Sequence, residues 1–253
     1  MEYIQLTGDN IEKEHICCAI SNNKDPQVIS KKEWLRSRMK EGLVFLKADI
    51  RGKCFIEYIP AEYAWVPIEA DNYMHINCFW VSGSCKGHGY ANDLLERCIV
   101  DAKRKGKAGI TVISSPKKKP FLSDPKYLAY KGFQFADTAA PFYELLYLPF
   151  RSQAQIPRLK ECAKAARNDL KGFSLYYTNG CPFTAKYVPI LEQCAAENNM
   201  RLTTIKIDSR EKAQSVPFAW ANFALFYNGD YVTNEILNER KFLGLIEKIR
   251  SVE

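Results

Sequence analysis

The sequence predicts an α/β (α+β) fold in two units, over residues 1–150 and 172–253. Three observations predict it. Strand-like and helix-like patterns alternate along the chain. The alternation breaks at Pro149-Phe150-Arg151 and resumes at Gly172. The chain has 253 residues, 47% hydrophobic and 13% aromatic, which is enough for two ordinary cores.

In the first unit, Ile11–Ile20 and Ser30–Glu41 read as helices, the second amphipathic through Trp34, Leu35 and Met39. Leu43–Asp49 and Lys53–Ile59 read as strands joined in a hairpin at Arg51-Gly52. Tyr63–Ile68 reads as extended, and Tyr73–Val81 as a long strand before the tight turn Gly87-His88-Gly89. A helix follows, with Leu94, Leu95, Cys98, Ile99 and Ala102 on one face and a basic end at Gly106. Gly109–Ser114 is a short buried strand, Pro116–Pro125 a loop, Lys126–Lys131 a short helix stopped at Gly132, and Phe142–Leu148 a strand.

Residues 151–171 form the connection, with Ile156–Leu170 read as an amphipathic helix. The second unit then runs βαβαββα. Phe173–Thr178 is a strand, Ala185–Asn198 a helix, Leu202–Asp208 a strand and Arg210–Gln214 a short helix. Asn222–Tyr227 and Asp230–Leu237 make a hairpin around Asn228-Gly229, and Asn238 caps the helix Glu239–Arg250.

Composition narrows the function. No apolar run approaches the roughly 20 residues of a membrane span, and the start lacks the basic-then-apolar pattern of a signal peptide. Nine cysteines, without metal-finger spacing, fit reduced thiols in a cytoplasm better than a disulfide framework. The net charge of +7 divides into +3 over residues 1–150 and +4 over the rest. An excess spread so evenly argues against a nucleic-acid partner. The clusters Lys103-Arg104-Lys105-Gly106-Lys107 and Lys117-Lys118-Lys119 read as solvated ends of a helix and a loop, or as a grip on a peripheral phosphate.

The strand–glycine turn–helix junction is the most informative stretch. It aims free backbone N–H groups and the positive end of a helix dipole at one point, which suits a phosphate. Glycines at 87 and 89 let a ligand approach the main chain closely. A Walker loop would need Lys-Ser/Thr after the glycine, where His88 stands. A dinucleotide fold would need glycine where Asn92 stands.

The remaining pattern, Gly87-x-Gly89 followed by Leu94-Leu95, with Tyr127-Leu128-Ala129-Tyr130-Lys131-Gly132-Phe133 further on, resembles the GNAT family of N-acetyltransferases. The resemblance covers roughly residues 1–150. It implies a mixed, V-shaped sheet with acetyl-CoA wedged between two splayed strands. The N–H groups of Lys86, Gly87, His88, Gly89 and Tyr90 would hold the pyrophosphate, and the backbone of Phe79, Trp80 and Val81 the pantetheine arm. Asn92 is a further cofactor contact. The resemblance implies attack of an amine on the thioester, with a small-molecule or peptide amine as partner and no metal. Glu57 or His75 is the candidate general base, and Tyr127 or Tyr130 the candidate general acid. His88 reads as a loop or cofactor contact. Two departures stand out. Ser84 takes the place of the family's usual Arg or Gln, with Lys86 as the candidate replacement charge. Leu128 takes the place of its usual tyrosine.

In the second unit, Cys181-Pro182-Phe183-Thr184 puts a thiol at a strand-to-helix turn, where a helix dipole lowers its pKa. Element order and motif resemble a monothiol thioredoxin-like fold, with Pro217 as the candidate for that fold's cis-proline. The whole arrangement resembles the YoaP-like group of bacterial acetyltransferases. Cys181 reads equally as a reactive thiol or a structural residue. The alternative to acetyl transfer is a coenzyme A-binding thiol or redox protein acting through Cys181.

Overall fold

Several helix starts in this chain are set by short polar caps. In the computed structural model, which describes residues 1–19 and 22–251, β1 is Tyr3–Gln5 and α1 is Pro26–Met39. Asp25 caps α1 by accepting from the Gln27 N–H, and Pro26 fills a first-turn position where no N–H is needed. There follow β2 (Val44–Ala48), β3 (Cys54–Pro60), β4 (Ile68–Glu69), β5 (Tyr73–Val81), α2 (Tyr90–Arg104) and β6 (Gly109–Ser114). Then come α3 (Pro125–Tyr130), capped in the same way by Asp124, β7 (Gln134–Ala139), β8 (Tyr143–Pro149) and β9 (Arg158–Leu159). The last part holds β10 (Phe173–Tyr177), α4 (Pro182–Glu197), β11 (Leu202–Lys206), α5 (Arg210–Ala213), β12 (Phe223–Tyr227), β13 (Asp230–Thr233) and α6 (Glu239–Arg250).

Seven strands form one sheet in the order β1-β2-β3-β5-β6-β8-β7. Only β5 and β6 run parallel in it. Leu94, Leu95, Cys98 and Ala102 bury one stripe of α2 against Met74, Ile76 and Ile110 on one face of that sheet. Trp34 and Leu35 of α1 cover the opposite face, over Phe45, Phe55 and Ile59. Four strands form the second sheet in the order β11-β10-β12-β13, with β10 parallel to β11. Asn228 and Gly229 both have positive φ, 49° and 89°, which makes the two-residue turn between β12 and β13.

The two sheets share one apolar core. The cluster that holds Leu35 and Phe45 continues through Val188 and Leu191 of α4 to Phe173 and Phe242, and α1 packs on α4. The connection is part of this join. The expected helix Ile156–Leu170 is absent. Instead Arg158–Leu159 pairs with Ile68–Glu69, and a single 3-10 turn spans Glu161–Ala163. Its backbone is spent on other segments. Lys160 N–H donates to the Pro67 carbonyl, Lys164 carbonyl accepts from Ala140 N–H, and Asn168 N–H donates to the Gly229 carbonyl. Leu159, Ala163 and Ala166 are buried one by one.

Two other expectations fail. Residues 11–19 form turns, with Ile11, Ile16 and Cys17 buried separately; Ile20 lies outside the described residues. Buried Lys32 holds this segment by donating to the Glu12 carbonyl and Asn23 Oδ1, and Lys47 does so through Glu14. The Val216–Pro217 bond is trans; among the described residues the cis bond is Ala140–Pro141.

Candidate active site

One extra residue in β5 creates the site. Glu57 faces Cys78 while Tyr58 faces Ile76, so Asn77 has no partner on β3 and bulges. The bulge reverses which side chains face which side. Met74 and Ile76 point toward α2, and so do Phe79 and Val81, whereas Cys78 and Trp80 pack on the α1 side. Beyond the bulge β5 also leaves β6. The pair is bonded from Tyr73↔Gly109 to Ile76↔Val112 and no further, although β5 runs on to Val81 and β6 to Ser114. The backbone of Asn77–Val81 therefore presents unpaired polar groups on its β6 side, which must be satisfied by water or a ligand.

A cavity of about 660 Å³ opens at this divergence and is lined by Phe79, Trp80 and Val81. It runs down to Glu57 and His75. A second hollow of about 230 Å³ lies over the glycine turn, against Gly87, Gly89, Tyr90 and Asn92. Val81, Lys86, Ala91 and Tyr127 line both, so the two adjoin. Gly87 and Gly89 have φ of 81° and 77° with open space where a Cβ would stand. Their conformation lets the loop turn into α2 with its first-turn N–H groups free.

At the base of the large cavity Glu57 is 2% exposed and Lys31 is 1% exposed. Lys31 Nζ donates to Glu57 Oε2 at 2.5 Å and to the carbonyl of Gly180 at 2.7 Å. Asn77 Nδ2 donates to Glu57 Oε1 at 3.2 Å. Burial works against a charge on Lys31, but Glu57 beside it outweighs burial and holds the ammonium above its ordinary pKa. His75 is also buried. Burial drives its pKa down to about 3, and its Nδ1 lies 3.0 Å from Thr111 Oγ1. The ring is thus neutral near pH 7 and a poor proton acceptor.

The two candidate tyrosines part company. Tyr127 lines both cavities, and burial pushes its hydroxyl up to about 12. It donates to Asn92 Oδ1 at 3.3 Å and meets Phe79 edge-on, with ring centroids 5.7 Å apart. Tyr130 is 81% exposed and lines neither cavity. His88 is exposed, stacks on Tyr90 and also lines neither, whereas Lys86 lines both.

Cys181 caps α4 and reaches the same cavity. The expected low pKa is reversed. Burial outweighs the Phe183 N–H and pushes the thiol up to about 12. Thr184, where a second cysteine would make a dithiol, donates to the Thr178 and Cys181 carbonyls. All nine cysteines are free. Among the described residues no group of three or more His, Cys, Asp or Glu could hold a metal ion, and no helix is long and apolar enough to cross a membrane.

Lys31, Asn77 and the second sheet's contribution to the cavity escape sequence reasoning. Lys31 had a signal: it lies three and four residues before Trp34 and Leu35, so a cation sits on the buried stripe of α1. Nothing local marks the segments around Gly180 and Trp220 as neighbours of Glu57.

Residues 202–243 match the family model described as YoaP-like. A relative from Bacillus subtilis (strain 168), described as "Uncharacterized N-acetyltransferase YoaP", is 42% identical over 250 residues, covering 98% of this chain and 100% of the relative. Among solved structures, yncA of Salmonella typhimurium, a putative acetyltransferase with its cofactor acetyl-CoA, aligns at TM-score 0.43 and 13% identity, covering 61% of this chain and 96% of its own. The PaiA N-acetyltransferase of Thermoplasma acidophilum, in complex with coenzyme A, aligns at TM-score 0.40 and 15% identity, covering 59% and 100%.

Proposed function

Since the chain belongs to the family of the N-acetyltransferase YoaP, we propose that it moves an acetyl group from acetyl-CoA to an amine, with the amine attacking the thioester directly. The observation that carries this reading is the parting of β5 from β6, which sets an anion-suited glycine turn and a buried carboxylate on two adjoining cavities. The residues present fit the donor: free N–H groups at Gly87–Asn92 and Lys86 for the pyrophosphate, and the unpaired edge of Phe79–Val81 for the pantetheine amides. Acetyl-CoA supplies an acyl carbon already activated by a thiol leaving group.

This chain's own groups manage the protons. Glu57 takes the proton from the incoming ammonium, at Oε1 on the Asn77 side, because Oε2 is engaged by Lys31. His75 stays neutral and orients through Thr111. Backbone N–H groups of the β5 edge polarise the carbonyl. The Tyr127 hydroxyl, kept protonated by burial, donates to the departing sulfur.

Residues 172–253 form a second unit in this reading. Its βαβαββα order and its β11-β10-β12-β13 sheet support a thioredoxin-like ancestry. The raised Cys181 thiol supports a wall of the acceptor site in place of redox chemistry. Nine free thiols support a reducing, cytoplasmic setting. Calorimetry with acetyl-CoA on the full chain tests the proposal. Micromolar binding that weakens in Lys86→Ala is expected. Absence of binding would refute the acetyl-transfer reading.

A further inference from the structure

Resting on the acetyl-transfer reading, we infer that the acceptor is a small monoamine on a flat, apolar body of aromatic size, and that the C-terminal part of the chain selects it.

Charge is the first argument. Six charged side chains line the large cavity: Lys31, Lys86, Lys118, Lys119, Glu57 and Asp124. Both carboxylates are already matched, Glu57 by Lys31 at 2.5 Å and Asp124 by Lys118 at 3.1 Å. With Lys86 serving the pyrophosphate, a polyamine or aminoglycoside would still bring two or more ammonium groups toward Lys31, Lys118 and Lys119 with no unpaired carboxylate to receive the second, at a cost in both repulsion and desolvation. One ammonium, delivered to Glu57 and discharged there, meets no such obstacle.

The walls are the second argument. Trp34 and Trp65 meet edge to face at 4.5 Å. Their faces are already taken by the Arg38 guanidinium, 5.8 and 4.9 Å from the ring centroids, so they do not form a vacant cage for a bulky cation. Phe121 from the first sheet's side and Trp220 and Phe183 from the second complete an apolar enclosure. Around Glu57, beside Lys31 and Asn77, the wall includes the thiols of Cys18, Cys78 and Cys181, which burial keeps protonated and uncharged. Such a surface rewards a ring or a compact hydrocarbon.

Closure is the third. The Pro116–Pro125 loop is clasped to the second sheet: Asn234 Nδ2 donates to the Pro120 carbonyl, and Phe121 lies 6.0 Å from Trp220. On the opposite side Lys31 ties α1 to Gly180. The acceptor end is enclosed by two halves of the chain, which suits a small molecule better than a peptide needing an open groove.

Binding of tryptamine, phenethylamine, spermidine and a free-amino hexapeptide to the full chain, read by calorimetry, tests this without any turnover. At least one aromatic amine should bind about tenfold or more tighter than spermidine and the peptide. Trp220→Ala and Phe183→Ala should each weaken that amine about tenfold, and Trp220→Phe by no more than about threefold. Spermidine or peptide binding as tightly, no binding of either aromatic amine, or unchanged affinity in both alanine variants overturns the inference. Acetyl-CoA binding on the same sample keeps the two readings apart, because its loss strikes acetyl transfer and leaves the amine result standing.

Discussion

Lys31 and Gly180 lie 149 residues apart in the chain, yet the ammonium of one donates to the carbonyl of the other at 2.7 Å while also holding Glu57. The position of the candidate base is therefore set jointly by α1, β3 and the turn before α4. This relationship gives the first prediction.

Lys31→Met leaves Glu57 buried without its counter-ion. Removing one partner of such a pair costs about 3–5 kcal/mol, read as a lower urea midpoint. Lys31→Met combined with Glu57→Leu should recover most of that stability and restore no acetyl transfer. A single variant as stable as the parent would show that the pair does not hold the fold.

Gly89→Ala places an L side chain at φ 77°, at a cost of about 1 kcal/mol, but nothing stands within 4 Å of the new methyl. The folded protein should survive with a small drop in melting temperature. Acetyl-CoA affinity should fall about tenfold, because the methyl enters the hollow in which the proposal seats the phosphates. Equal affinity in the variant would move the pyrophosphate elsewhere.

Tyr127→Phe should lower kcat by about 10²-fold if the hydroxyl serves the leaving sulfur. Tyr130→Phe, at an exposed position, should leave kcat within about twofold. Steady-state kinetics with any working acceptor distinguishes the two.

His75 has a folded pKa near 3, below the roughly 6.5 of an unfolded histidine. The unfolded chain therefore binds this proton first. His75 costs nothing above about pH 6.5 and lowers stability progressively as pH falls below that value, by about 1.4 kcal/mol per unit toward pH 3. His75→Gln should flatten that part of the stability–pH curve. An unchanged slope would mean that His75 is protonated in the fold.

Cys181 carries a thiol raised to about 12, so iodoacetamide at pH 7.5 should modify it slowly, after the exposed Cys162. Mass spectrometry of a time course reads the order. Cys181→Ser should retain transfer activity within about threefold. Fast, selective alkylation of Cys181 would reopen the thiol reading.

Elements with a local signal are the ones the sequence discloses. Tyr73–Val81, Gly109–Ser114 and Glu239–Arg250 are apolar runs or capped amphipathic stretches, and they fold as read. Gln134–Ala139 was hidden because it is a sheet edge with only one fully buried residue, so no alternation marks it. The spacing of Leu159, Ala163 and Ala166 imitates a helix, but the three are buried on a strand, a 3-10 turn and a residue with positive φ in place of one helical face. The glycine turn was legible because its chemistry lies in consecutive residues. The bulge at Asn77 and the Lys31–Gly180 link were not, because each depends on which distant strand or turn comes alongside.

The strap between the two sheets changes what a break in the chain would do. Residues 151–153 and 155–156 are exposed, while β4 and β9 are paired on one side and a common core lies behind. Covalent continuity at that stretch contributes little beyond effective concentration. Cut there, the protein would behave as a tight heterodimer that melts in one step. Two separately expressed fragments, mixed together, would rebuild the large cavity by complementation.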